Sequence, residues 1–134
     1  MSASRARRGP WARVEPALVA LVALHSAALG VAAMAAPEAG LRLSGFGEAS
    51  PLFFPRQVGV FHVVVAAAYA IEYVRYRGVT ILLVAKAIAV AFLGAALLAG
   101  PQPWVVPFSA AADAAMGLAV AFVRARARAE ARAR

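Results

Sequence analysis

VTILLVAKAIAVAFLGAALL, residues 79–98, is an apolar run broken by a single charge, Lys86. At a helical rise of about 1.5 Å per residue it crosses roughly 30 Å of hydrocarbon, so it reads as a membrane span. An ammonium within such a span is costly. It persists where it faces the protein interior, meets an anion or gives up its proton. Lys86 is also the sole lysine; the other thirteen of the 14 basic residues are arginine. Glu72 and Asp113 are the acidic residues that likewise fall within apolar segments, and either is a partner that Lys86 can reach.

Three more runs of similar length flank this one: Pro16–Ala35, Val58–Val74 and Trp104–Val123. The separators differ in kind. Residues 37–57 form a loop rich in glycine and proline, Arg75–Gly78 is a tight turn, and Ala99–Pro103 carries Gly100, Pro101 and Pro103. The tight turn makes the second and third spans an antiparallel hairpin. The run beginning at Pro16 follows a basic stretch, but it outlasts the apolar core of a secretory leader and three spans follow it, so it reads as a span. With 63% hydrophobic residues in 134 and a mean hydropathy of +0.76, the chain falls outside the range of soluble domains. The fold expected is all-α: an antiparallel four-helix transmembrane bundle forming a single membrane domain over residues 1–134.

The net charge of +8 is not spread evenly. Arg5, Arg7, Arg8 and Arg13 precede the first span, Arg75 and Arg77 fill the tight turn, and Arg124, Arg126, Arg128, Arg132 and Arg134 follow the fourth span. Four spans place all of these on one side and leave Arg42 and Arg56 on the other. The positive-inside rule then puts both termini in the cytoplasm, with the protein in a bacterial inner or plasma membrane. Trp11 on the inner side, and Phe53, Phe54 and Trp104 on the outer, suit interfacial aromatic belts. The basic tail, residues 124–134, alternates alanine and arginine, both good helix formers, so it continues the fourth helix. It anchors the topology and attracts anionic lipid at about 1 kcal/mol per arginine near the surface. It carries no aromatic interleaving and no nucleic-acid module, so no nucleic-acid partner is expected. The absence of cysteine excludes disulfides and thiolate chemistry.

Depth groups the polar residues. His25, Lys86 and Asp113 each lie about 10–15 Å from the cytoplasmic end of their spans, and Glu72 lies a few residues from the inner turn. They are the candidates for one buried polar layer. In the second span His62, Tyr69, Glu72, Tyr73 and Tyr76 fall within a sector of about 100°, a polar stripe that either lines a path or faces neighbouring helices. Ser109, Asp113 and Gly117 share one face of the fourth span, as close helix contact requires. At the outer rim, Arg56 and Gln57 are candidates for contact with an anion or lipid, the plainer alternative being an interfacial arginine held by Glu38 or Glu48. His25 and His62 lie at different depths, which argues against a shared haem, and no metal-ligand spacing occurs; no cofactor is expected.

Phe54-Pro55-Arg56-Gln57-x-Gly59, the long loop before it, the short basic inner turn and a third span containing Lys86 together resemble the DoxX-like group of small bacterial four-span membrane proteins. The resemblance covers most of the chain and implies a four-helix membrane bundle. Some members of that group are accessory subunits of membrane oxidoreductases, and none of their site residues transfers to this chain. Three roles are therefore open. The first is a non-enzymatic structural or accessory protein, partnered by lipid and by a membrane complex or a second copy of itself. The second is an oligomeric proton-linked carrier using His25, Glu72, Lys86 and Asp113. The third is a lipid- or quinone-interacting enzyme or subunit, in which Arg56, His62 and Tyr69 would act.

Overall fold

The computed structural model describes residues 9–133. It is built of helices, with no strand among the described residues: α1 Pro10–Ala35, α2 Pro37–Ser44, α3 Phe53–Tyr76, α4 Thr80–Ala99 and α5 Val105–Arg132. Four of these, all but α2, are long and apolar enough to cross a membrane. Arg5, Arg7, Arg8 and Arg134 lie outside the described residues.

The helix ends follow local chemistry. Pro10, Pro37, Pro55 and Pro107 all sit in first turns, where the missing N–H has no intrahelical carbonyl to serve. Consequently α3 starts at Phe53, several residues before the purely apolar stretch, and α5 continues through the basic tail to Arg132. The outer loop is not irregular throughout, as its glycines and prolines suggest, because α2 occupies its first part. Glu38 in the first turn and Arg42 in the last suit the helix dipole. Gly45, at φ 85°, then closes α2 with bonds from its own N–H to Arg42 O and from Phe46 N–H to Leu41 O.

The packing is uneven. Helix α1 lies most extensively along α3, α4 along α5, and α1 bridges to α5; α3 and α4, although joined by three residues, touch little. The expected hairpin is thus close in sequence but open at its seam. At the crossing of α1 and α3, Gly30 and Gly59 meet backbone to backbone: a Cβ on either would stand 2.6 Å from the carbonyl oxygen of the other. The small core draws on all four long helices through Val19, Val22, Tyr69, Tyr73, Leu82 and Val120. Leu24, Val31, Val64, Ile88, Phe92 and Leu118 face outward, the arrangement of a chain whose solvent is lipid rather than water.

Candidate functional site

Lys86 projects from α4 toward α5, where its Nζ donates to Asp113 Oδ1 at 2.5 Å. The lysine is buried, at 8% exposure. Gly117, one turn beyond Asp113, leaves room for its stem, since a Cβ there would stand 3.3 Å from Lys86 Cβ. The i, i+4 spacing of Asp113 and Gly117 thus supplies both the anion and the space.

Beside the pair lies a cleft of about 170 Å³, lined by Ser26 of α1, His62 and Tyr69 of α3, and Ala85 and Ala89 of α4. It opens along the seam where α3 and α4 barely touch. On the other side of the pair, a groove of about 440 Å³ runs between α4 and α5 over Leu83, Val90, Ala91, Ala114 and Leu118. Lys86 and Asp113 line both spaces. The pair therefore forms a polar wall between a mixed cleft and an apolar groove.

Glu72 does not join it. Its two carboxylate oxygens accept the backbone N–H groups of Thr80 and Ile81, each at 2.9 Å. These are first-turn donors of α4 with no intrahelical acceptor, so the carboxylate caps that helix at its positive end. Gly78 permits the approach, because a Cβ there would lie 2.6 Å from Glu72 Oε1. Of the two partners open to Lys86 from the sequence, the structure brings Asp113 to it and uses Glu72 elsewhere.

His25 is a correction to the expected polar layer. Val19, Val22, Ser26 and Gly30 make the inward stripe of α1; His25, about 100° around the helix from Ser26, is exposed on the outside. Ser26 takes the place at the cleft instead. The second-span stripe also divides. His62 and Tyr69 reach the cleft and Tyr73 enters the core, whereas Tyr76, 75% exposed, points away. Arg56 is exposed and Gln57 half-buried. Neither borders the cleft, and no ion pair links Arg56 to Glu38 or Glu48 among the described residues. Those two carboxylates lie around Arg42 in a separate surface pocket.

A second ion pair, between a buried carboxylate and a half-buried guanidinium, was not anticipated. Glu15 of α1, 5% exposed, accepts from Arg124 Nη1 at 2.6 Å, and Arg124 Nη2 donates to the Arg77 carbonyl at 2.6 Å. One guanidinium thereby ties α1, α5 and the α3–α4 turn. Arg77 adopts a left-handed backbone, φ 52°, and its own guanidinium lies 5.4 Å over the Tyr73 ring. Glu15 directly precedes the apolar run that starts at Pro16, and Arg124 directly follows the run that ends at Val123. That matched position at two span ends was the available signal. Among the described residues, no three His, Asp or Glu side chains converge as a metal site would require.

Four helices of membrane-crossing length and apolarity are the mark of a multi-pass helical membrane protein, and among the described residues two separate ion pairs join its helices. No family model, curated protein or solved structure matches the chain.

Proposed function

We propose that this chain is a structural or accessory membrane protein whose polar residues fasten its spans together. The observation that carries the reading is the Lys86–Asp113 contact at 2.5 Å, in which the one intramembrane lysine is spent on joining α4 to α5. Glu72 is likewise engaged as a cap, and Glu15 with Arg124. A charge-handling path needs neighbouring groups in sequence across the membrane; here the two ion pairs are separate contacts on different helix pairs.

In this reading the spans form an antiparallel bundle with both termini in the cytoplasm of a bacterial cell. The Glu15–Arg124–Arg77 contact supports that arrangement by gathering the start of α1, the α3–α4 turn and the late part of α5 at one end. The slight contact between α3 and α4 leaves a lateral face for a helix of a larger complex. The DoxX-like resemblance points the same way, as some of that group are accessory subunits. The test is purification of the tagged chain from its native membrane in mild detergent. A stoichiometric membrane partner is expected, and a monodisperse lone monomer would overturn the reading.

A carrier or ligand-binding role rests on a different observation, the cleft that sets Ser26, His62 and Tyr69 beside the pair. Its volume suits a few water molecules or one small polar group. Loss of cellular function in a Lys86→Met, Asp113→Leu double variant that keeps its partner and its stability would favour this second role.

A further inference from the structure

At the end of the molecule that carries the α3–α4 turn, a pocket of about 360 Å³ opens between α1, α3 and α5. Its charged and aromatic lining is Glu15, Tyr73, Arg77, Arg124 and Arg128. Three guanidiniums thus face one carboxylate. Arg124 is occupied by Glu15 and by the Arg77 carbonyl, and this fastening fixes the pocket walls. Arg77 and Arg128 have no carboxylate partner among the described residues. They approach the same space from different elements, Arg77 steadied over the Tyr73 ring and Arg128 one turn beyond Arg124 on α5. Alanines at 127 and 131, on the same side of α5, keep the space open.

We infer that this pocket is a phosphate-binding site, in which Arg77 and Arg128 grip the oxygens of one phosphate group from two sides. A guanidinium presents paired N–H donors that match phosphate geometry, and two of them unneutralised around a concave space favour a dianion over a carboxylate. The location fits a lipid headgroup, because Arg124 begins where the apolar stretch of α5 stops. A soluble phosphate offers the same chemistry. The site differs from general attraction of a basic tail to anionic lipid, because it assigns the work to two particular arginines, one of them outside the tail. It holds whichever role the Lys86–Asp113 pair serves.

The experiment uses the full chain in mild detergent and follows binding of short-chain phosphatidic acid by native mass spectrometry, with diacylglycerol and inorganic phosphate in parallel. Arg77→Gly removes the guanidinium at a left-handed position that glycine adopts without strain. Arg128→Gln alters an exposed site on α5, and Arg126→Gln, whose side chain lies over Phe122 instead, is the control of equal charge change. Each of Arg77→Gly and Arg128→Gln is expected to weaken phosphatidic acid binding by about tenfold, the scale of one charge-assisted contact, with Arg126→Gln within about twofold of the parent. Diacylglycerol should not bind. Competition by inorganic phosphate would assign the site to soluble phosphates, and its failure to compete would assign it to lipid headgroups. Equal weakening by Arg126→Gln, or undiminished binding in both pocket variants, overturns the proposal. Thermal unfolding of each variant separates lost binding from lost fold.

Discussion

At the scale of single residues, the Lys86–Asp113 pair is a joint loss waiting on either partner. Removing one charge leaves the other buried without compensation, which costs about 3–5 kcal/mol in protein interiors, whereas replacing both with apolar groups of similar size is often close to neutral. Lys86→Met and Asp113→Leu are therefore each expected to lower the thermal unfolding temperature in detergent sharply, and the double variant to recover most of the loss. Additive effects of the two changes would show that the residues act independently. The depth of this pair was legible in the sequence because rise per residue is fixed, so Lys86 and Asp113 could be set level. Direction around the helix was not legible for His25, since α1 is apolar on nearly every side and no polar face marks which way it turns. Ser26, its neighbour, is the inward residue. Glu15 and Arg124 escaped for another reason: both lie just beyond the apolar runs, where a charge looks like an ordinary boundary residue until two helices bring them together.

Elements are positioned by close backbone approach and by caps. Gly30 and Gly59 allow α1 and α3 to cross at a separation that no Cβ tolerates, the obstruction in each case being a main-chain oxygen that cannot swing aside. Gly30→Ala and Gly59→Ala are each expected to destabilise by about 1–3 kcal/mol, the range for overpacking. Gly94 is the internal control. Nothing lies within 4 Å of where its Cβ would be, so Gly94→Ala should be neutral or stabilising by up to about 1 kcal/mol through helix propensity. Thermal unfolding of the three variants decides between a steric crossing and a general intolerance of change in apolar helices. Glu72 provides a second expectation at this scale. Glu72→Ala strips the cap from the first turn of α4 and should cost about 1 kcal/mol; hydrogen exchange would then quicken at Thr80 and Ile81 first. The four long helices were legible because twenty apolar residues have few other uses. Helix α2 was hidden by the glycines and prolines around it, although Pro37, Glu38, Arg42 and Gly45 spell the start and stop of a short helix.

Across the whole molecule, placement in the membrane rests on charge asymmetry joined to the contacts at one end. Arg13, Arg75, Arg77 and the basic tail share a side if the chain crosses four times, and the Glu15–Arg124–Arg77 contact draws together three of the segments that carry them. The opposite end is tied by Trp104 Nε1, which donates to the Leu43 carbonyl at 2.9 Å and so docks the start of α5 on α2. An inverted protein would have to carry the arginine-rich end across the bilayer, against the bias that orients short loops. The chain has no cysteine, so single cysteines report orientation without background. Ala49→Cys, exposed in the segment after α2, and Ala133→Cys, exposed after α5, are chosen because neither side chain enters the packing. A membrane-impermeant maleimide applied to intact spheroplasts is expected to label Ala49→Cys at once and Ala133→Cys only after lysis. The reverse pattern would invert the orientation. Labelling of both in intact spheroplasts would mean an even number of crossings between the two sites, where α3, α4 and α5 make three, or two coexisting orientations, and the side of the phosphate pocket would change with it.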